Sequence, residues 1–367
     1  MRWRVAQGSG EVGWAPQRVE VALLDAEPPE VRVATGHAPK GRRQVGTYRI
    51  VAGSRRSTGD AMQFGAQLVN YFCEWDDTLA AVKAVQSGRW NSLWWSDHFL
   101  PPVGRADMEH ERALEGWSLL TAAAAITERL QLGLLVTGNT YRNPALLAKM
   151  AATIDQISHG RLILGIGAAW FKREHEAYGW TFPSLKERCD RLEEALEVIK
   201  LLFTEGNGGF ADYDGRYYQL DHCPLSPPCY QKPHLPILVG GNGEKRTLKS
   251  CAKYADICNI DFNNPGGADV FRHKINVLEQ HCEAIGRDPA EIKKTVLIPM
   301  RLEDDESKAA ELRAQRGGWV LYGPPSYVID VIGGYVDAGC DEMMFSAVPT
   351  RSEYFERIDA DVLSAFD

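Results

Sequence analysis

Short apolar segments alternate with helical segments along most of this chain, and this alternation constrains its fold more than any other feature. Strands that alternate with helices form a mainly parallel sheet. Eight strand–helix units within about 300 residues favour a closed (β/α)₈ TIM barrel over an open doubly wound sheet. The eight predicted strands are 62–69, 92–96, 130–136, 162–167, 236–240, 256–260, 295–299 and 342–346.

Capping residues and apolar periodicity place helices between these strands. Asn143 followed by Pro144 is typical of a helix start, and Ser184 with Glu187 forms a capping box. The helix after Ser184 is predicted to bury Leu185, Cys189, Leu192, Leu196, Ile199 and Phe203. The predicted helices are 74–87, 115–127, 145–157, 185–203, 243–254, 268–285, 304–316, 325–338 and 351–365, and the longest break, 204–234, carries a polar and aromatic insert.

Residues 1–61 differ in character from the rest of the chain. They contain scattered glycine, proline and arginine and show no sustained helical period. We therefore expect a weakly folded N-terminal extension over 1–61 and a barrel domain over 62–367. Met62 is a hypothetical alternative translation start.

Composition argues against several classes of protein. The formal net charge of −8 does not favour a nucleic-acid partner, which usually requires a basic surface. No apolar run approaches the roughly 20 residues that cross a bilayer, and no secretory signal follows Arg2 and Arg4. The eight cysteines lack CxxC spacing, which indicates free thiols of a reducing cytoplasm. We expect a cytoplasmic protein without a membrane partner.

Polar residues after the strands are the first candidates for a site, because barrel active sites lie at the carboxyl ends of the strands. Strand two ends at Asp97 and His98, which can carry a proton or hydrogen-bond a polar ring. Alternatively, Asp97 caps a turn and His98 packs in the core. Strand three leads into a polar segment from Thr137 to Arg142 that can bind a ligand, with Arg142 binding an anion or pairing with an acid. An ordinary polar loop explains this segment equally well.

Strand four ends in a glycine pair, Gly165 and Gly167, that resembles the start of a nucleotide-binding turn. The sixth position of the dinucleotide motif requires glycine but is Trp170 here, so that motif is not indicated. In a barrel the two glycines permit close approach to the backbone. Ala168 and Ala169 then supply a floor of small residues, and Trp170 an aromatic wall.

A short helix with polar and aromatic residues follows this turn. Glu174, His175 and Tyr178 are spaced to lie on one side of it. A zinc site of the HExxH type is not indicated, because Gly179 stands where the second histidine is required. The insert contains further candidate ligands whose spacing matches no metal motif, namely His222, Cys223, Cys229 and His234. We predict no metal site.

Strand five runs into a glycine-rich turn, Gly240 to Gly243, before the next helix. Free backbone amides and the helix dipole make such a turn a natural anion site. The turn lacks the lysine pattern of a nucleoside triphosphate site, so the phosphate of a flavin-type cofactor is the better interpretation. The alternative is a plain turn with a helix cap.

Together these segments resemble the bacterial luciferase-like family of flavin- and deazaflavin-dependent oxidoreductases. The resemblance covers about residues 62–350 and is carried by SLWWSDHFLP (92–101), YRNPALLAKMAATIDQISHGRLILGIGAAW (141–170), PILVGGNGEKRTL (236–248), KYAD (253–256) and GPPSYVIDVIGGYVDAGCDEMMFS (323–346). It implies a (β/α)₈ barrel with insertions that binds FMN or the deazaflavin coenzyme F420 at its carboxyl mouth.

The resemblance also implies roles for particular residues. Asp97 and His98 would line the cofactor ring, with His98 handling the proton and Asp97 orienting it. Leu135–Val136 would form a bulge behind the ring, with a cis non-proline peptide in several members of the family. The implied cofactor-binding residues are Leu135, Val136, Thr137, Gly167, Ala168, Gly241, Asn242 and Gly243, and the implied substrate pocket is Trp170, His175 and Tyr178.

The family admits more than one reaction. We expect F420-dependent hydride transfer to or from a small organic substrate. The alternatives are a monooxygenase that uses reduced FMN from a separate reductase, and a non-catalytic flavin-binding barrel. In related sugar-phosphate dehydrogenases a catalytic glutamate stands at the position of Trp170, which puts that particular reaction in doubt. Relatives form dimers, and the small residues of helix 145–157 suit close packing in a homodimer.

Overall fold

Eight parallel strands close into a barrel, as the alternation of strands and helices predicts. The computed structural model describes residues 62–102, 108–261, 267–316 and 320–367. Each barrel strand pairs with the next, and the last pairs with the first, which closes the sheet. The barrel strands are β1 Gln63–Leu68, β2 Ser92–Trp95, β3 Gln131–Leu134 with its continuation β4 Thr137–Gly138, β5 Leu162–Gly167, β8 Ile237–Gly240, β9 Ile257–Ile260, β10 Lys293–Leu302 and β12 Glu342–Val348.

Helices surround the barrel, and a small hairpin interrupts the pattern before β8. The hairpin consists of β6 Ala211–Asp214 and β7 Gln219–Cys223, and a short strand, β11 Leu321–Gly323, extends the sheet beside β10. The helices are α1 Trp75–Ser87, α2 Gly116–Ile126, α3 Pro144–Ile157, α4 Lys172–Tyr178, α5 Leu185–Thr204, α6 Thr247–Tyr254, α7 Gly267–Glu283, α8 Glu306–Arg316, α9 Pro325–Asp337 and α10 Ser352–Asp361. The extension predicted over 1–61 lies outside the described residues and stays a prediction.

Local sequence signals account for several helix starts. Asn143 Oδ1 accepts from the Ala145 amide at 2.8 Å, and Pro144 occupies the first helical position of α3. Ser184 Oγ accepts from the Glu187 amide at 3.3 Å and begins α5. Leu185 is 65% exposed, so its predicted burial was wrong: it precedes the turn at which α5 meets the core.

The glycine-rich turn after β8 is longer than the sequence predicts. The predicted helix start at residue 243 was wrong, because α6 begins at Thr247. The Leu248 amide donates to the Gly243 carbonyl at 3.0 Å and closes this turn. In this longer turn Glu244 pairs with Lys274 of α7, and Arg246 pairs with Glu193 of α5.

The barrel interior is filled by side chains at mid-height and by a polar network at its amino end. Lys293 Nζ donates to Glu342 Oε2 at 2.6 Å, and Ser92 Oγ donates to the other oxygen of Glu342. These contacts close the amino end of the barrel and leave the carboxyl end for ligands. The mid-height cluster is Trp94, Leu135, Ile163, Leu238, Ile257, Leu297 and Met344.

Candidate active site at the carboxyl ends of the strands

The glycine pair of β5 makes room for the neighbouring strand of the same chain. A Cβ on Gly165 would lie 2.0 Å from the Leu134 carbonyl oxygen, and one on Gly167 would lie 2.8 Å from Val136 Cγ2. Strand three bulges at this level, between β3 and β4, with a cis peptide between Leu135 and Val136. The two glycines therefore accommodate the bulge, and the cis bond implied by the family resemblance is confirmed.

Side chains from two elements hold this bulge in place. Gln67 Nε2 donates to the Leu135 carbonyl at 3.0 Å. Trp117 Nε1, on α2, donates to Thr137 Oγ1 at 3.0 Å, and Thr137 is fully buried. The bulge is thus supported from β1 and α2, which fixes the backbone at the centre of the mouth.

Asp97 is buried at the end of β2 and paired with a cation. Arg142 Nη1 donates to Asp97 Oδ2 at 2.7 Å, and Arg142 Nη2 donates to Glu115 Oε1 at 2.7 Å. Burial raises the pKa of Asp97 to about 6, although the charge of Arg142 acts in the opposite direction. Of the two functions predicted for Arg142, the structure supports pairing with an acid.

His98 contacts a second buried carboxylate, Glu174, and not Asp97, which we expected to orient it. Its Nδ1 lies 3.2 Å from Glu174 Oε2, and the side chain of Glu174 has no exposed surface. The His98 ring lies edge-on to Trp170 and Phe171, with centroid distances of 5.4 and 5.8 Å. His98 therefore lies between a buried anion and an aromatic wall.

The aromatic wall is exposed at its outer edge. Trp170 is 62% exposed and stacks on Phe171 at 5.1 Å. Tyr178 is 49% exposed and stacks on Trp180 at 4.8 Å, and the ring of Phe99 contacts both of them, at 5.5 and 4.9 Å. Large exposed aromatic groups beside a candidate catalytic histidine are suited to bind the apolar part of a ligand.

His175 lies behind this wall. It is fully buried, its Nε2 lies 2.7 Å from Thr140 Oγ1 and its Nδ1 lies 2.9 Å from the Phe171 carbonyl. Its ring stacks on Tyr141 at 4.8 Å. This burial argues against direct substrate contact by His175, whose side chain supports the wall from inside.

Arg188 fixes the turn that precedes the wall. It donates to the Ala169 carbonyl and, at 3.2 Å, to the Pro183 carbonyl. Ala169 has a positive φ of 64°, in the left-handed region that side chains rarely adopt. The predicted floor of small residues, Ala168 and Ala169, is thus held by a cation that comes from α5.

The turn after β8 has the backbone form expected of an anion site. Gly241 has a φ of 134°, and Asn242 Nδ2 donates to Asp261 Oδ1 at 2.5 Å. The first amides of α6 have no acceptor inside the helix, as at every helix start. Arg246 is engaged by Asp190 and Glu193. The amides of Gly241 and Leu248 already donate to the carbonyls of Asn259 and Gly243, so contacts with a phosphate would fall to the other amides of this turn.

Six buried side-chain polar atoms of the described residues have no hydrogen-bond partner; three are oxygens that follow barrel strands, and the others are Gln86 Oε1, Trp90 Nε1 and Trp95 Nε1. Within the described ranges, Asp97 Oδ1, Asn139 Oδ1 and Asn242 Oδ1 have no hydrogen-bond partner. Each follows the carboxyl end of a different barrel strand, β2, β4 or β8. Buried acceptors without partners are costly unless a ligand or water supplies donors. A ligand with ring N–H or hydroxyl donors, such as a flavin or deazaflavin, fits this set.

Sequence reasoning missed the contacts of two residues at this site. Glu174 was singled out only for its helical spacing, yet it contacts His98, and Tyr141 donates to the same carboxylate at 2.5 Å. The glutamate and the histidine are 76 positions apart in the chain. The available signal was the ends of strands two and four, which are close in a barrel.

A closed parallel barrel with a bulged third strand, adjacent Asp97 and His98 after β2 and a glycine-rich turn after β8 agrees with the flavin- or deazaflavin-dependent barrel that the family resemblance implies. The family model for luciferase-like monooxygenases matches residues 54–342. The chain belongs to the luciferase-like monooxygenase family, which confirms the predicted family, fold and enzyme class.

Similar proteins include F420-dependent dehydrogenases and a monooxygenase. An F420-dependent glucose-6-phosphate dehydrogenase of Kineococcus radiotolerans is 31% identical over 77% of this chain and 90% of its own length. An F420-dependent secondary alcohol dehydrogenase, solved with an F420–acetone adduct, superposes with a TM-score of 0.73 at 20% identity over 84% of this chain and 100% of its own. The EDTA monooxygenase of Chelativorans sp. BNC1 gives a TM-score of 0.71 at 14% identity over 83% and 93% of the two chains. These relatives support F420 or FMN as the cofactor.

Membrane insertion by a helix finds no support in the described ranges. None of the helices there combines the length and the apolar character that a bilayer crossing requires.

Proposed function

We propose that this chain is a coenzyme F420-dependent oxidoreductase that transfers a hydride to or from a small organic substrate. The observation that carries the proposal is the Asp97–His98 pair beside the strand-three bulge, with each side chain held by its own charged partner. The F420-dependent relative that is 31% identical supports the deazaflavin over FMN.

The residues of the mouth divide into cofactor and substrate groups in this proposal. When bound, the deazaflavin supplies or accepts the hydride. Asp97 Oδ1 would accept a hydrogen bond from the ring, and the bulge at Leu135–Val136 would support the ring. His98 would move the substrate proton. The remaining proposed cofactor contacts are Thr137, Gly167 and Ala168 near the ring, and Gly241, Asn242 and Gly243 at the phosphate.

We propose that the substrate carries a neutral, apolar portion. Trp170 and Phe171 form the wall beside His98, and neither carries a charge. The resemblance places a glutamate at the position of Trp170 in the sugar-phosphate dehydrogenases, so we do not assign that substrate to this chain. An alcohol or carbonyl compound with an apolar substituent against Trp170 and Tyr178 fits the exposed aromatic surface.

A second candidate is a monooxygenase that uses reduced FMN delivered by a separate reductase. The structural similarity to the EDTA monooxygenase, with a TM-score of 0.71, supports this second candidate. A non-catalytic flavin-binding barrel is a weaker alternative, since it would have no need for two carboxylates around His98. We also propose a cytoplasmic location and a homodimer formed through α2 and α3.

Parallel titration of the purified protein with F420 and FMN, each oxidised and reduced, tests this proposal by quenching of tryptophan fluorescence. We expect tighter binding of the deazaflavin, by at least about tenfold, or 1.4 kcal/mol. Tighter binding of reduced FMN would instead favour the monooxygenase. Binding of neither cofactor would refute both.

A further inference from the structure

Glu174 lies directly behind His98 in the interior of the protein. It stands in the first turn of α4 and its side chain has no exposed surface. An ionised carboxylate is buried in this way only when hydrogen bonds replace its water. The contacts of Glu174 therefore show whether its carboxyl group is ionised.

Four donors converge on this carboxylate. Oε1 accepts from the amides of Phe99 and Leu100, the second at 2.9 Å, and Oε2 accepts from Tyr141 Oη at 2.5 Å and contacts His98 Nδ1 at 3.2 Å. Burial alone would raise the pKa of Glu174, but the hydrogen bonds from His98, Tyr141 and the Leu100 amide outweigh it and lower this pKa. Glu174 is thus an anion that only accepts hydrogen bonds.

The anionic state of Glu174 decides where His98 carries its proton. A neutral imidazole has one donor nitrogen and one acceptor nitrogen, and the partner of one nitrogen selects the tautomer. The ionised carboxylate of Glu174 can only accept a hydrogen bond from Nδ1. The proton of neutral His98 is therefore on Nδ1. Nε2 is then an acceptor, and the described residues supply no hydrogen-bond partner for it.

We propose that Glu174 is a positioning residue that holds His98 in the Nδ1-protonated tautomer and so keeps Nε2 free to exchange a proton with the substrate. This inference rests on the proposed function. A proton that leaves a substrate hydroxyl moves to Nε2, and a proton required by a substrate carbonyl oxygen leaves Nε2 in the reverse direction. Glu174 touches neither substrate nor cofactor and acts only through His98.

The architecture makes Glu174→Gln an informative variant. The two backbone amides at Phe99 and Leu100 require an acceptor, so the glutamine carbonyl should take the place of Oε1. Its NH₂ group then stands where Oε2 stood and donates to Nδ1 of His98. The variant should therefore invert the tautomer and place the proton on Nε2.

The tautomer can be read without cofactor or substrate. In protein labelled with ¹⁵N-histidine, long-range ¹H–¹⁵N correlation spectra at pH 8 distinguish the two tautomers, and His98→Asn identifies the signals of His98. We expect Nδ1–H in the wild type, Nε2–H in Glu174→Gln, and Nδ1–H in Glu174→Asp. Tyr141→Phe is the matched control, because it removes another donor to the same oxygen and leaves the carboxylate in place.

Activity supplies the second readout once the cofactor and a substrate are known. Glu174→Gln should lower kcat by about 10²- to 10⁴-fold, the range of general acid–base catalysis, with cofactor affinity changed less than threefold. Nε2–H in the wild type, or an unchanged tautomer in Glu174→Gln, would overturn the positioning role even if activity falls. If neither cofactor binds, the proposed function fails while the tautomer result stands. If a variant does not fold, the wild-type spectrum alone tests the proposal: Nδ1–H supports it and Nε2–H refutes it.

Discussion

Replacement of Gly165 by alanine should separate the two interpretations of the glycine pair in β5. If the pair serves an incoming ligand, an added methyl group should weaken cofactor binding and leave stability unchanged. If the pair accommodates the strand-three bulge, the same methyl group should disrupt the fold itself. The structure favours the second outcome, because the added Cβ would lie 2.0 Å from the Leu134 carbonyl oxygen.

The size of the effect follows from what the methyl group meets. The contact is about 1 Å shorter than the closest that real Cβ atoms show, and the colliding atom is backbone that cannot rotate away. Overpacking of a core usually costs about 1–3 kcal/mol, so Gly165→Ala should lower the free energy of unfolding by about 3 kcal/mol or more. Gly167→Ala meets a Val136 methyl at 2.8 Å and should cost less, about 1–2 kcal/mol.

A second substitution distinguishes the two clashes. Val136→Ala removes the methyl that an alanine at position 167 would meet, so it should partly rescue Gly167→Ala, with a coupling of about 1 kcal/mol. It should not rescue Gly165→Ala, whose clash is with the carbonyl of Leu134. Gly333→Ala is the control, because a Cβ there meets nothing within 4 Å; within α9 it should raise stability by about 0.5–1 kcal/mol.

Urea denaturation followed by circular dichroism measures these differences from midpoints and m values. The expected order of stability is Gly333→Ala, wild type, Gly167→Ala, then Gly165→Ala. Cofactor affinity, measured on the folded variants, should fall from wild type to Gly167→Ala and then to Gly165→Ala, because we propose that the bulge also supports the ring. It should be unchanged in Gly333→Ala, where the added methyl group meets nothing. Wild-type stability of Gly165→Ala with weakened cofactor binding would refute the packing explanation and assign the glycine directly to the ligand.

Two further predictions concern the acid and the base at the end of β2. Burial raises the pKa of Asp97 to about 6, so its protonated form stabilises the folded state and this contribution is lost as pH rises from 4 to about 6. Relative to Asp97→Asn, the wild type should lose roughly 2 kcal/mol of unfolding free energy between pH 4 and pH 7, measured by urea titration at each pH. Parallel pH profiles of the two proteins would contradict this. His98→Ala should lower turnover by about 10²-fold or more and change cofactor affinity far less; similar losses in both would reduce His98 to a cofactor contact.

Much of the fold could be predicted because the barrel repeats one simple pattern. Buried parallel strands are short apolar runs, and residues such as Asn143 and Ser184 mark helix starts through their own local hydrogen bonds. Two helix predictions were wrong, both at the start of a helix. Leu185 fits the apolar stripe of α5 by spacing but projects into solvent, and the start of α6 was placed at Gly243, four residues early.

The candidate site could be predicted only in part. Strand ends were informative because the topology brings them to one mouth, which places Asp97, His98 and Gly241 together. Pairings across the mouth were not predictable, because one sequence does not show which side chains meet. Thus Arg142 had two possible partners, an anion or an acid, and the contact between Glu174 and His98 depends on the orientation of α4 over β2.

The two carboxylates near His98, Asp97 and Glu174, have environments that shift their pKa values in opposite directions. This difference supports the separate functions that we propose for them. Asp97 has one strong partner in Arg142 and one oxygen without a partner, and burial raises its pKa to about 6. Glu174 receives four donors, which lower its pKa and keep it ionised. Groups whose environments separate their pKa values in this way usually divide the chemistry of a site between them. Asp97 is therefore suited to meet a ligand donor, and Glu174 is suited to fix the base that moves the proton.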